Sequence, residues 1–322
     1  MIKNLEIENF KSIKHLKLDC KRINLFIGEP NTGKSNILET LGVLSFNSYG
    51  DIRDFIRFER MSNLFYDENL DEGIEIRADD TILEIGFESG DFKGRCYDGE
   101  GESFSFNFNY DGGGSRSRPK DLSPIKFYRF AVKKGFPRKE SDFLLPPSGD
   151  NLLAILMTHK NLKGTASRIF EHFGFRLVLR PQENKIEILK LQEDVLISYP
   201  YSLASETLQR IIFYTTAIDS NKDSVLVFEE PESHSFPYYT KFLAERIALD
   251  KNKNQYFIST HNPYFLLSIL EKAHRDEVAI FITYFEDYQT KVKPLDKKEL
   301  EEIMDLGIDV FFNIERFLEV KE

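Results

Sequence analysis

The fold of this chain is decided by one stretch of sequence, Gly28-Glu29-Pro30-Asn31-Thr32-Gly33-Lys34-Ser35. The stretch fits the pattern G-x-x-x-x-G-K-[ST] without a mismatch. The apolar run 23–27 before it predicts a buried strand, and residues 35–41 after it predict a helix. Strand, glycine-rich loop and helix form the context in which this pattern builds a phosphate-binding loop. The alternative, a glycine turn before a helix with an incidental lysine, leaves these flanks unexplained.

The chemistry of this loop predicts a bound nucleotide. Its glycines let the backbone curl so that successive N–H groups point at an anion, and the helix N-terminus adds its positive dipole end. We expect Lys34 to reach the β- and γ-phosphates as a catalytic residue, and the Ser35 hydroxyl to ligate Mg²⁺. The predicted cofactors are therefore ATP and Mg²⁺. The residues expected to contact the nucleotide from this segment are Gly28, Glu29, Pro30, Asn31, Thr32, Gly33, Lys34, Ser35 and Asn36.

Composition narrows the class of protein. The chain has 322 residues, of which 30% are charged and 41% hydrophobic, as is typical of soluble globular proteins. Its net charge of −10 argues against broad nonspecific binding to nucleic acid, but it allows a local basic patch. The apolar runs are too short to span a membrane, and two cysteines offer no disulfide framework. We therefore expect a cytoplasmic protein with no membrane partner.

Two further strand ends carry candidate catalytic groups. The apolar run 225–228 ends in Glu229 and Glu230, and carboxylates at the C-terminal end of a buried parallel strand lie where open α/β sheets bind ligands. We expect Glu229 to hold Mg²⁺ and Glu230 to polarise the water that attacks the γ-phosphate. The alternative is an acidic turn. The run 255–259 leads to His261, which can donate to the γ-phosphate, unless it is simply a partly buried polar residue.

The order of the patterns predicts an α/β fold in a single domain. Residues 1–65 and 181–322 are expected to form a nucleotide-binding core, a mostly parallel sheet flanked by helices. Residues 66–180 are expected to form an inserted lobe, partly helical and rich in antiparallel strands, because short period-two runs alternate there with Gly, Asp and Ser turns. Within that lobe, the glycine-rich basic segment 112–120 predicts a flexible loop.

These pieces in this order resemble the ATP-binding-cassette ATPases, and most closely the AAA-type branch that contains the RecF, SMC and OLD-type proteins. Residues 2–13 are similar to the N-terminal strand and turn of that branch. Residues 28–35 resemble its Walker A motif, residues 225–230 its Walker B motif, and residues 260–263 its switch histidine. Residues 201–210 lie where the branch keeps its signature motif.

The chain also departs from the pattern of that branch. Glu229 replaces the usual Walker B aspartate and is one methylene longer. The signature glycine is missing at 205–207, although Ser205 and the helix N-terminus behind it can still donate to a γ-phosphate. No glutamine occurs between Ser35 and Gln182, so the Q-loop glutamine is missing from its expected place.

The resemblance implies an ATPase switch that forms a homodimer in the ATP state, in which Walker A, Walker B and His261 of one subunit face the Ser205 segment of the other. It implies a role in DNA transactions such as repair or recombination, or in anti-phage defence, with DNA or an effector protein (a nuclease or toxin) in trans as partner. A nuclease in cis is not expected, because the residues after His261 hold one strand-like run, 278–285, and one charged helix, 297–306.

Two other functions remain open at this point. One is the nucleotide-binding subunit of a membrane transporter, which the missing Q-loop glutamine disfavours. The other is a non-hydrolysing, nucleotide-dependent interaction module, which Glu230 in the catalytic position disfavours.

Overall fold

The computed structural model describes residues 1–318, with the backbone alone for residues 306–309. The strands are β1 (Asn4–Phe10), β2 (Ile13–Asp19), β3 (Ile23–Gly28), β4 (Ile74–Ala78), β5 (Thr81–Glu88), β6 (Asp91–Asp98), β7 (Gly101–Phe108), β8 (Gly114–Arg116), β9 (Ile125–Tyr128), β10 (Arg176–Arg180), β11 (Lys185–Gln192), β12 (Val195–Pro200), β13 (Val225–Glu229), β14 (Gln255–Ser259), β15 (Val278–Glu286) and β16 (Gln289–Pro294). The α-helices are α1 (Lys34–Tyr49), α2 (Ile52–Phe55), α3 (Leu152–Thr158), α4 (Lys160–Glu171), α5 (Glu206–Ser220), α6 (Pro237–Ala248), α7 (Pro263–Lys272), α8 (Lys297–Leu306) and α9 (Ile314–Leu318).

A six-stranded sheet in the order β16-β15-β3-β14-β13-β9 forms the core. Its strands are parallel except β16, which pairs antiparallel with β15 at one edge. Both faces are covered: on β13, Leu226 and Phe228 pack towards the helices α3 to α7, while Val225 and Val227 pack towards α1. Continuous apolar strands are the pattern expected for such a sheet, and the predicted mostly parallel core is confirmed.

A seven-stranded antiparallel sheet, in the order β2-β1-β4-β5-β6-β7-β8, covers the α1 side of the core. Phe46 of α1 packs against Phe104, Phe106 and Phe108 of β7, with ring centroids 6.0, 5.6 and 6.2 Å apart. The antiparallel β-rich part of the predicted fold is thereby confirmed. The segment 112–120, expected to be a loop, includes the exposed strand β8.

The two large sheets share chain across the expected boundaries at 65 and 180. The N-terminal hairpin β1–β2 belongs to the antiparallel sheet, and β9, which falls inside the expected lobe, is an edge strand of the core sheet. The division into residues 1–65, 66–180 and 181–322 therefore stays a proposal about domains and does not coincide with the sheets.

The remaining elements complete the surface. The small sheet β10-β11-β12 exposes Leu191, Val195 and Leu196, each more than 60% accessible. After His261 the chain forms two strands rather than the single run predicted, because β16 follows β15 as a hairpin. Among residues 1–318, the helices are too short or too polar to cross a membrane.

Candidate functional site

The loop between β3 and α1 has the conformation that its glycines were expected to allow. Gly28 and Gly33 have φ values of 148° and 93°, and Asn31 has a φ of 64°. A side chain at either glycine also lacks room: a Cβ at Gly28 would lie 2.3 Å from the Thr283 carbonyl oxygen, and one at Gly33 would lie 2.0 Å from Thr290 Oγ1. The hairpin β15–β16 thus packs directly against the loop, and only glycine fits at both positions.

Lys34 lies across this loop. Its ammonium donates hydrogen bonds to the carbonyl oxygens of Gly28 at 2.9 Å and Glu29 at 2.6 Å. Burial lowers the pKa of Lys34 to about 8, while the charges of Glu230 and Glu29 act to raise it. A cation held this way, at the N-terminus of α1, offers a positive centre to a phosphate.

Ser35 and Glu229, the two residues predicted to hold Mg²⁺, are brought together by the core sheet. The Ser35 hydroxyl donates a hydrogen bond to Glu229 Oε1. The contact forms because β13 and β3 both pair in parallel with β14, so the end of β13 and the start of α1 meet at the same sheet edge. A hydroxyl and a carboxylate are oxygen donors of the kind that Mg²⁺ binds, so these residues fit the predicted ion.

Glu230, which follows β13, and His261, which follows β14, lie next to each other at the C-terminal ends of these strands. The His261 Nε2 atom lies 3.4 Å from Glu230 Oε1, and the Ser233 hydroxyl donates to Glu230 Oε2 at 3.0 Å. Glu230 has a φ of 42°, so the chain turns sharply after Glu229 and the two carboxylates diverge. Burial and the charge of Lys34 lower the pKa of His261, and Glu230 acts to raise it. The imidazole is therefore neutral at neutral pH and can donate or accept a hydrogen bond.

A cluster of charges beside Glu229 was not found from the sequence. Glu39 of α1 is buried and forms ion pairs with Lys11, with Arg57 at 2.8 Å and with Arg129 at 3.5 Å. Both arginines also contact Glu229, Arg57 at 2.8 Å and Arg129 at 3.4 Å. The sequence signal for a buried charge is Glu39 itself, which lies in a helical segment of mostly apolar residues. Its partners could not be inferred, since they come from three distant segments.

Arg129 has a clear structural origin. It directly follows β9, which pairs in parallel with β13 so that Tyr128 lies beside Phe228. The next residue of each strand, Arg129 and Glu229, therefore reaches the same edge of the sheet. The structure thus places the Arg129 guanidinium near Glu229, the carboxylate expected to hold Mg²⁺. The Q-loop glutamine of the resembled family is missing from its expected place, since no glutamine occurs between Ser35 and Gln182.

Ser205 lies apart from these contacts. It is exposed and immediately precedes α5, at the rim of an apolar groove of about 1020 Å³. Within residues 1–318, no hydrogen bond or ion pair joins Ser205 to the loop 28–35. The neighbouring Thr207 hydroxyl donates to the His234 carbonyl oxygen at 2.7 Å, which ties the start of α5 to the turn after Glu230. The contact of Ser205 with a nucleotide stays a prediction.

Asn36, the last predicted nucleotide-contacting residue, faces the N-terminal hairpin. Its side-chain amide donates to the Ser12 hydroxyl at 2.7 Å, and that hydroxyl lies 2.7 Å from Thr290 Oγ1. The start of α1 is thereby joined to both large sheets.

Comparisons with a family model and with solved structures show the family and the fold of this chain. The family model described as an AAA ATPase domain matches residues 1–162. An SMC head bound to the C-winged-helix domain of ScpA has 18% identity, with 92% of this chain and 99% of that one covered and a TM-score of 0.56.

A second head, the SMC head with an extended coiled coil bound to the C-terminal domain of ScpA from Pyrococcus furiosus, has 14% identity, covers 95% and 98% of the two chains, and gives a TM-score of 0.52. No curated protein matches the chain. The family model confirms the expected AAA-type ATPase domain, and the fold of the chain is similar to that of SMC heads, as expected. The chain belongs to the AAA ATPase domain family.

Proposed function

We propose that this protein binds ATP with Mg²⁺ and hydrolyses it. The observation that carries the proposal is that four predicted residues meet at the C-terminal ends of the core strands. Ser35 donates a hydrogen bond to Glu229, and His261 lies beside Glu230. Lys34, whose charge acts on both Glu230 and His261, completes the set. The family supports an ATPase, and the site residues are our assignment.

Each residue has a distinct task in this proposal. Lys34 exchanges its hydrogen bonds to loop carbonyls for the β- and γ-phosphates, and Ser35 and Glu229 hold Mg²⁺. The ion supplies neutralisation of the charge that develops on the phosphates. Glu230 accepts a proton from the attacking water, and neutral His261 donates a hydrogen bond to the γ-phosphate.

We further propose that two copies close around ATP, so that Ser205 of one copy meets the loop 28–35 of the other. Two features support this: Ser205 is exposed at a helix N-terminus, and such an N-terminus favours an anion. The closed dimer is expected to act in DNA repair or recombination or in anti-phage defence, in the cytoplasm. DNA or an effector protein such as a nuclease or toxin is the proposed partner; the two similar SMC heads were solved with a ScpA domain bound.

The first experiment is steady-state ATP hydrolysis by the wild type and by Lys34→Ala, at low salt, with and without duplex DNA. We expect the variant to lose turnover by about 100-fold or more, because an electrostatic stabiliser of the phosphates is removed. Wild-type protein that binds ATP without turnover would contradict hydrolysis and favour an interaction module. Stimulation by DNA would support the DNA role, whereas indifference to DNA would direct attention to a protein partner.

A second experiment tests the dimer. The dimer is measured in the Glu230→Gln variant, which is expected to keep ATP bound without hydrolysing it. We expect ATP to double the mass of this variant in light scattering. Adding Ser205→Glu should prevent the doubling, because it places a negative charge against the phosphates bound by the partner subunit. The control is Ser115→Glu, at an exposed serine of β8. A mass that does not respond to ATP would contradict the dimer and leave the ATPase proposal standing.

A further inference from the structure

A second buried acid, Glu232, lies two residues after Glu230 and has no task in the mechanism above. Its side chain is 4% exposed, and a carboxylate is seldom buried this far unless it is paired. Its Oε1 accepts a hydrogen bond from the Thr260 hydroxyl, while Oε2 makes none within the part of the chain described. Burial raises the pKa of Glu232 to about 7, against the opposing effect of the Thr260 hydrogen bond. Burial at this cost calls for a reason.

The partner, Thr260, immediately precedes His261 and is fully buried. Its backbone N–H donates to the Phe26 carbonyl oxygen at 3.1 Å, which fixes it to β3 next to the phosphate-binding loop. Its hydroxyl oxygen also accepts from the Asn262 N–H at 3.0 Å. His261 is thus held on both sides, although its ring is 37% exposed.

Glu232 belongs to the same turn as Glu230. The Glu230 N–H donates to the Ser259 carbonyl oxygen at 3.0 Å, and Ser233 donates to the Glu230 carboxylate. The hydrogen bond between Glu232 and Thr260 is therefore a further connection between the turn that carries Glu230 and the turn that carries His261, in addition to the Glu230–Ser259 hydrogen bond and the contact of Glu230 with His261. Of these, it is the buried side-chain connection, and it restricts the relative movement of the turns.

We propose that Glu232 is a positioning residue: through its hydrogen bond with Thr260, it holds the His261 imidazole opposite Glu230. The proposal rests on the function proposed for Glu230 and His261. It explains the buried acid, because a hydrogen-bonded carboxyl in a packed interior fixes geometry more tightly than an exposed one. An error of about 1 Å in the placement of a catalytic group can cost about 100-fold in rate.

Two pairs of variants test this hydrogen bond from its two ends, and both ends are needed because Thr260→Val also removes the acceptor of the Asn262 N–H. Thr260→Val removes the hydroxyl at nearly constant volume, whereas Thr260→Ser keeps it. Glu232→Ala removes the acceptor, whereas Glu232→Gln keeps an acceptor oxygen of the same reach. In each pair the second variant is the matched control for the first. The measurements are kcat, the Kd for ATP, the melting temperature, and the ring ¹⁵N resonances of the protein labelled at its 6 histidines.

We expect kcat to fall by about 10-fold to 100-fold in Thr260→Val and Glu232→Ala, with the Kd for ATP unchanged and the His261 resonances shifted. Thr260→Ser and Glu232→Gln should stay near the wild type in both respects. The double variant Thr260→Val with Glu232→Ala should lose no more than the larger single loss, since the hydrogen bond that Glu232→Ala removes is already absent in Thr260→Val.

His261 resonances that are the same in Thr260→Val as in Thr260→Ser would overturn the proposal. Should Glu232→Ala fail to fold, Glu232→Met takes its place beside the Thr260 pair, because methionine fills similar space without an accepting oxygen. Should the wild type lack turnover, the proposed ATPase function fails, and the ring resonances of His261 still test positioning because they need no nucleotide.

Discussion

Two consecutive glutamates end β13 in contrasting surroundings. The side chain of Glu229 is 15% exposed and lies among Ser35, Arg57 and Arg129, whereas that of Glu230 is 43% exposed and lies beside His261. We call the first set, together with Glu39 and Lys11, the metal-side cluster, and we call Glu230 with His261 the water-side pair. A left-handed backbone at Glu230 separates them.

The contrast shows how one strand end serves two purposes. In the metal-side cluster, opposite charges around the buried Glu39 carboxylate support each other across five segments of the chain, so its members contribute to folding as well as to chemistry. The water-side pair is open to solvent, so its contribution to folding is small and its role is mainly chemical. The predictions below test this division.

The largest effect is expected at the water-side pair. Glu230→Gln should lower kcat by about 1,000-fold, because it removes a general base, while the melting temperature and the Kd for ATP stay unchanged. The matched control is Glu277→Gln, whose carboxylate is 42% exposed, like that of Glu230, and is paired with Arg22. A fall in kcat no larger than that of the control would remove Glu230 from the mechanism.

The next effect is expected in the metal-side cluster and concerns stability. Glu39→Gln should reduce the free energy of unfolding by about 3 kcal/mol, because it leaves the largely buried ammonium of Lys11 without its carboxylate partner. Urea unfolding measures this, and Glu277→Gln, in a more exposed pair, should change stability by less than about 1 kcal/mol. Equal losses in the two variants would show that the cluster adds nothing beyond a surface ion pair.

The smallest effect is a shift in the titration of His261. Burial and Lys34 disfavour the charged imidazole, so its pKa should lie below the ordinary value for histidine. Since the Glu230 carboxylate favours the charged form, Glu230→Gln should lower this pKa further. A ¹⁵N titration of histidine-labelled apo protein measures both midpoints, with Glu277→Gln again as control. A rise in the His261 midpoint in Glu230→Gln would contradict the pairing in the water-side pair.

Much of the fold and part of the candidate site could be read from local patterns. The loop 28–35 and the strands before Glu229 and Thr260 are continuous in sequence, and each is set by periodicity or by a short motif. The strand β16 was missed because its residues are mostly polar and it is an edge strand, recognisable only once it pairs with β15. Yet its Thr290 packs against Gly33 and helps to shape the loop.

The metal-side cluster and the hydrogen bond between Glu232 and Thr260 could not be predicted from the sequence, for a different reason. Glu39 lies 18 residues from Arg57 and 90 from Arg129, and Glu232 lies 28 residues from Thr260. Sequence spacing carries no information about such pairs, because each one depends on how helices and strand ends pack together in the folded chain.

Local backbone preferences and apolar patterning are enough to predict the phosphate-binding loop, the buried parallel strands, and the carboxylates and histidine at their ends. Which polar groups contact each other follows from the folded arrangement alone: Arg57 and Arg129 contact Glu229, and Thr260 contacts Glu232. The physical reason is that parallel pairing brings the carboxyl ends of distant strands to one edge. Buried charges there must find partners from whichever segments the sheet brings together.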